Sequence, residues 1–334
     1  MIKYHMHSIS LVFLGIILFH GQAFAAGSYG YSDAKDVVGI PRYHSARAGE
    51  TMYEIAREFN VGYNAVAAAN PGIKNPFDPG AGREVVLPTK WVLPAGREGF
   101  DVIVNLAEMR LYRFFSSGER SLVSSYPIGV AIDGFDTPLG TFTVSDRLVK
   151  PSWYVPDSVR SEQPDLPEVV PPGEENPLGE FALRLSDSHY FIHGTNKPFG
   201  IGLRVSHGCI RLYPEDIAEL FSIAPLGTRV KIVYETVKAG ISSGMLFLEV
   251  HDDYLGRVDD MEAHALEVLR EKGYDASADM GLVRKAITEK LGIPVWVGRV
   301  GEILNQTMEA RAEAGIGERA KETPEPEAPG NLAN

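Results

Sequence analysis

The sequence predicts a mostly β central domain, closed like a sandwich or barrel, with a small strand–helix–helix–strand module before it and an α/β extension after it. Three observations predict this. Residues 99–234 hold a succession of short runs rich in Val, Ile, Phe, Tyr and Thr, punctuated by Gly and Pro. Residues 43–89 hold two short helical patterns between strand-like ends. Residues 238–300 alternate strand-like and helical patterns.

The small module comes first. Thr51 stands three residues before Glu54, the spacing of a capping box, and Ile55, Ala56 and Phe59 supply the apolar side of that helix. A second helix is expected over residues 63–69, ending near Asn70 and Pro71, and a strand over residues 84–87. Residues 27–42, rich in Gly, Ser and Tyr, read as a loose leader.

In the central domain, FDVIVNL, RLYRFF, SLVSSYPIGV, GTFTVSD, EFALRL and YFIHG are the strand candidates, and TRVKIVYE is the closing strand. Seven prolines between Lys150 and Gly179 make that interval a poor strand or helix, so it reads as a long excursion beside the sheet. An excursion of this length suits a lid. Pro214 suits the first turn of a helix, with Glu215 and Asp216 at its positive end. In the extension, MLFLEV and VWVGRV read as strands and residues 261–272 and 280–290 as helices. Residues 301–334 drift to Ala, Glu, Gly and Pro and read as a disordered tail.

Composition narrows the function. With 334 residues, 44% hydrophobic, the chain can bury several cores. A formal net charge of -12 argues against general binding to nucleic acid or anionic lipid. Lys3, an apolar run over residues 9–19 and the small-x-small triplet Ala23-Phe24-Ala25 read as an export signal over residues 1–26. That run is too short for an ordinary membrane span, so no stable insertion is expected once the signal is cleaved.

Cys209 is the single cysteine, which excludes an intramolecular disulfide and makes it the only sulfur nucleophile. Attack on a carbonyl needs a thiolate, and a neighbouring histidine can take the thiol proton. His193 ends an apolar run, and a turn-rich connection leads from it to Cys209. His207 shares a face with Cys209 if the loop is extended. Either histidine can be the base. Gly208 permits a tight turn at the nucleophile, and the N–H groups of Gly208 and Cys209 are candidate oxyanion donors. Arg211 can orient a substrate carboxylate or hold a structural ion pair, and Ser206 can brace the loop. The scattered histidines form no metal-ligand pattern, so neither metal nor cofactor is expected.

Two resemblances follow from these residues. YHSARAGETMYEIAREFNVGYNAVAAANPGI with REVVLP resembles one LysM module, a fold that binds N-acetylglucosamine-containing glycans such as peptidoglycan. His193-Gly194-Thr195 followed by Ser206-His207-Gly208-Cys209-Ile210-Arg211-Leu212 resembles the signature of YkuD-type L,D-transpeptidases. That resemblance implies Cys209 as nucleophile and His193 as general acid and base. Gly194, Thr195, Ser206, His207, Gly208 and Arg211 would bind substrate or support the site.

The combination is similar to periplasmic, LysM-bearing members from Gram-negative bacteria, and KAGISSGMLFLEVHDDY resembles the extension of the subgroup that attaches Braun lipoprotein. The implied partners are peptidoglycan glycan, tetrapeptide stems and an outer-membrane lipoprotein lysine as acceptor. The competing readings are an L,D-carboxypeptidase, a non-catalytic peptidoglycan-binding scaffold and a papain-like protease. The last fits the β-rich order poorly.

Overall fold

The computed structural model describes residues 27–301 apart from Asp187. The export signal and nearly all of the expected tail lie outside the described residues.

The chain begins with two strands, β1 (Ser28–Gly30) and β2 (Val37–Gly39), where the sequence suggested a loose leader. Val37 and Val38 are 3% and 2% exposed. Their burial partners, Trp91, Leu93 and Phe247 among them, lie far along the chain. No local pattern could announce that contact.

The small module then follows its expected order: β3 (Arg42–Ser45), α1 (Met52–Glu58), α2 (Tyr63–Ala69) and β4 (Glu84–Leu87). The capping box forms, with the Glu54 N–H donating to Thr51 Oγ1 at 3.1 Å and the Thr51 N–H to Glu54 Oε2 at 2.8 Å. Met52, Ile55, Val61, Val66, Val85 and Leu87 close a core between the helices and the β3–β4 pair. β5 (Lys90–Val92) then pairs with β2.

The central unit is one curled sheet. β6 (Val102–Asn105), β7 (Arg110–Ser117) and β8 (Arg120–Pro127) form a meander. Next come β9 (Val130–Ala131), β10 (Gly140–Val149), β11 (Trp153–Tyr154), α3 (Asp157–Glu162), β12 (Val169–Val170), β13 (Phe181–Leu185) and β14 (Phe191–His193). β15 (Arg204–Ser206), β16 (Ile210–Arg211), α4 (Pro214–Ile223) and β17 (Arg229–Val233) complete it. The order across the main sheet is β1-β8-β7-β6-β17-β10-β13-β14-β16. Just past β8, Gly129 exchanges two backbone hydrogen bonds with Arg211 of β16, at 2.8 and 3.0 Å. One end of the sheet thus meets the other, which is the barrel-like closure the sequence suggested.

Burial on both faces explains why the strand runs are continuously apolar rather than alternating. On β6, Val102 and Val104 face a core shared with Ile217 and Leu220 of α4. Ile103 faces the opposite way, toward Trp91 and Leu93. Pro214 opens α4 as expected.

The Pro-rich excursion carries more structure than its composition suggested. β11 and β12 pair as a short hairpin around α3, and Val155, Val159 and Val170 form a small core with Trp153 and Leu166. The fully buried Asn176 amide donates to the carbonyls of Pro151 (2.8 Å), Pro171 (3.1 Å) and Val170 (3.3 Å). One side chain therefore pins both ends of the excursion, satisfying backbone groups that proline-rich chain leaves unpaired.

The C-terminal extension adds β18 (Val237–Ser242), β19 (Met245–Val250), α5 (Met261–Glu271), α6 (Met280–Glu289) and β20 (Val295–Arg299). Its three strands are antiparallel, and the helices cover them over a separate core. Asp260 and Asp279 cap the two helices.

A buried charge network joins the extension to the central sheet. Lys238 Nζ sits 2.8 Å from Glu108 Oε2, 3.0 Å from Glu249 Oε1 and 2.7 Å from the Val92 carbonyl. Burial would pull the ammonium down, but the two carboxylates outweigh it and hold Lys238 above its ordinary value. Glu108, Glu249 and His251 have ligand atoms within 4.8 Å of one another, the spacing of a metal site. Here the lysine ammonium is the cation between the two carboxylates.

Candidate active site

Strand geometry sets two of the predicted residues side by side. β14 and β16 run parallel, pairing Ile192 with Ile210 and His193 with Arg211. Ile192, Ile210 and Leu212 all point into the core beneath α4. Successive strand residues alternate faces, so His193 and Arg211 lie together on the opposite face, and Cys209 immediately precedes β16. The His193 carbonyl accepts from the Leu212 N–H at 2.8 Å, which locks this register.

The two histidines have different surroundings. His193 is 3% exposed, and its Nδ1 lies 2.6 Å from the Gly194 carbonyl oxygen. A carbonyl only accepts, so Nδ1 carries the proton and Nε2 of the neutral ring is left as the acceptor. Burial, aided by the Arg211 charge, pulls the His193 pKa down to about 3, against the pull of the Gly194 and Leu178 carbonyls. His207 is half-buried. Its Nε2 lies 3.3 Å from Glu162 Oε2 on α3, and its ring meets Phe135 edge-on with centroids 4.3 Å apart.

Cys209 is half-buried and free. Burial pushes its thiol up from the ordinary value, while a Phe191 backbone hydrogen bond and the Arg211 charge pull the other way. Among the described residues no hydrogen bond joins the sulfur to either histidine. Burial thus favours the neutral forms of both the thiol and the His193 imidazole.

The loop before Cys209 is held from several sides. Gly208 has φ +106°, and a Cβ there would stand 2.2 Å from Tyr190 Cε1. Only glycine fits both constraints. The Thr137 hydroxyl donates to the Gly208 carbonyl at 2.8 Å, and the Ser206 hydroxyl donates to the Cys209 carbonyl at 2.5 Å. Gly194 is similarly confined, because a Cβ would meet Ile217 Cγ2 at 3.1 Å. Thr195 is buried and its Oγ1 accepts from the Lys197 N–H at 2.9 Å, shaping the turn after β14. Thr137, Tyr190 and Glu162 were not singled out by sequence reasoning. They reach the loop from distant segments and carry no local motif.

A cavity of about 590 Å³ opens beside this face. Trp153, Val159 and Leu166 of the excursion line one side, and Phe199, His207 and Arg211 line the other. The small module packs close by. Arg57 of α1 pairs with Glu215 and lies 4.4 Å over the Tyr213 ring, and Asn60 Nδ2 donates to Asp216 Oδ1 at 2.8 Å. The Tyr63 N–H donates to the Ile201 carbonyl at 3.3 Å.

Comparison with known proteins decides the family. Residues 99–232 match the L,D-transpeptidase catalytic domain of the YkuD family, and residues 44–88 match the LysM domain. A relative from Escherichia coli K12 named "Probable L,D-transpeptidase YcfS" is 37% identical over 279 residues, covering 79% of this chain and 85% of the relative. The chain belongs to the L,D-transpeptidase family. The Salmonella typhimurium protein named "Probable L,D-transpeptidase ErfK/SrfK" is 36% identical over 269 residues, covering 75% of this chain and 84% of its own length. "Probable L,D-transpeptidase YbiS" from E. coli K12 is 38% identical over 230 residues, with 66% and 73% covered. Membership makes the chain a cysteine-dependent enzyme of peptidoglycan modification, and Cys209 is its single cysteine.

Proposed function

We propose that this L,D-transpeptidase works in the periplasm on peptidoglycan tetrapeptide stems through a thioester on Cys209. The observation that carries the reading is the parallel pairing that sets His193 beside Arg211, with Cys209 immediately before that second strand and His193 Nδ1 committed to the Gly194 carbonyl. His193 Nε2 then takes the thiol proton as the sulfur attacks the carbonyl of the third stem residue. A neutral base and a neutral thiol suit this concerted transfer, because no charged pair has to be maintained in a desolvated site.

The N–H groups of Gly208 and Cys209 stabilise the tetrahedral oxyanion. Collapse breaks the C–N bond, His193 returns its proton to the leaving amine, and terminal D-alanine departs. An acceptor amine, deprotonated by His193, then attacks the thioester and releases Cys209. Gly194, Thr195, Ser206 and His207 act through the shape of the two loops, not by touching the reacting atoms. The LysM module, residues 43–89, holds the glycan, and residues 99–234 perform the chemistry. Residues 238–300 brace the catalytic sheet through Lys238.

The acceptor is a second stem or a lysine of an envelope lipoprotein. Water as acceptor would make the enzyme an L,D-carboxypeptidase with the same residues. Muropeptide mass spectrometry after incubation with sacculi and candidate amines separates these outcomes. Cross-linked or protein-linked stems support transfer, and trimmed tripeptide alone overturns it.

A further inference from the structure

Among the described residues Arg211 is a cation without a carboxylate partner. Its backbone is fully engaged with Gly129. Among the described residues, its guanidinium makes neither hydrogen bond nor ion pair, and Nε is buried with no partner. Nε of Arg147 and Arg160 is also buried without a partner, but those guanidiniums make other contacts, Arg160 with Asp157 among them. Arg204 pairs with Asp133, Arg147 donates to the Phe221 carbonyl, and Arg184 lies over the Phe191 ring at 5.1 Å. Lys197, also on the cavity, is exposed and can be served by water. Arg211 is half-buried, and burial pulls it below its ordinary value. A guanidinium does not escape by losing its proton, so the site carries an unmet demand for an anion.

We propose that Arg211 binds the terminal carboxylate of the donor stem and thereby selects tetrapeptides over pentapeptides. This rests on the function proposed above. Arg211 lines the cavity, it stands two residues past Cys209, at most roughly 7 Å along the chain, and its charge acts on the Cys209 thiol. In a tetrapeptide the free carboxylate belongs to the leaving residue itself, directly beyond the scissile bond. It therefore falls within reach of a side chain two positions from the attacking sulfur. In a pentapeptide a neutral amide takes that place, and the carboxylate moves away by up to ~3.6 Å. The planar fork of Arg suits a carboxylate gripped by two parallel N–H bonds.

The test follows acylation of Cys209 by intact-protein mass spectrometry. Four donors are compared: the tetrapeptide, its C-terminal carboxamide, the pentapeptide, and a tetrapeptide amidated only at the diaminopimelate side-chain carboxylate. Wild-type protein should acylate with the free tetrapeptide about 10- to 100-fold faster, in kcat/KM, than with its C-terminal carboxamide. The pentapeptide should resemble the carboxamide, and the side-chain amide should resemble the parent. Arg211→Met should bring tetrapeptide and carboxamide to a similar low rate, and Arg211→Lys should recover part of the difference. The wild-type comparison stands even if a variant misfolds. Equal wild-type rates with acid and amide overturn the proposal, as does an unchanged ratio in Arg211→Met or sensitivity only to side-chain amidation. Failure of wild-type protein to acylate with any donor overturns the underlying function instead.

Discussion

Acid should destabilise this protein through His193, by an amount that follows from its burial. In the unfolded chain the imidazole titrates near 6.5, and in the folded chain near 3. The folded ring stays neutral while the unfolded ring gathers a proton, so stability falls as pH falls below about 7 and the loss levels off near pH 3. With those two values the contribution lost is about 2 kcal/mol at pH 5 and approaches about 5 kcal/mol below pH 3. Because His193 is 3% exposed, solvent does little to reduce it. The comparison is His193→Asn, whose Nδ2 can still donate to the Gly194 carbonyl but does not titrate. Urea unfolding at pH 7 and pH 5 should show the wild type losing about 2 kcal/mol more than the variant. Parallel losses would refute a buried neutral imidazole, and with it the picture of His193 as a base ready at neutral pH.

Three other expectations follow from the same geometry. Gly208→Ala places a methyl against Tyr190 at φ +106° and should cost about 1–2 kcal/mol of stability while severely slowing acylation; wild-type melting and rate would contradict it. Lys238→Met leaves Glu108 and Glu249 buried without their cation and should cost about 3–5 kcal/mol by chemical denaturation. A cost under about 1 kcal/mol would mean the network does not bind the extension to the sheet as argued. Burial holds the Cys209 thiol up, so its alkylation rate by iodoacetamide should still be rising beyond pH 9. A plateau between pH 6 and 8 would indicate a standing thiolate and sink the neutral-pair account.

Local rules made much of the architecture legible. The capping box at Thr51 and Glu54, the helix start at Pro214 and the apolar runs of β6 and β7 all act within a few residues, and each formed where expected. The assembly of the site was legible only in part. His193 and Cys209 were readable as a candidate pair, but the parallel register that sets Arg211 beside His193 depends on sheet closure through Gly129. The different surroundings of His193 and His207 come from Gly194 and Glu162, and the latter reaches His207 from the proline-rich excursion. That excursion is ordered, with only short elements, for a physical reason. Proline argues against long elements, yet Asn176 supplies the missing donors and a small valine cluster suffices for a hairpin. The segment before residue 42 misled for another, since Val37 and Val38 are ordered by Trp91, Leu93 and Phe247 and not by their neighbours.

The central claim is a covalent acyl intermediate on Cys209 formed by a tetrapeptide stem. Intact-protein mass spectrometry of the mature enzyme mixed with a tetrapeptide donor tests it most directly, with peptide mapping to locate the adduct. The expected result is a mass increase equal to the donor less one alanine, located at Cys209, absent from Cys209→Ala and discharged by an added amine. Turnover of the donor without that adduct, or turnover retained by Cys209→Ala, would contradict it.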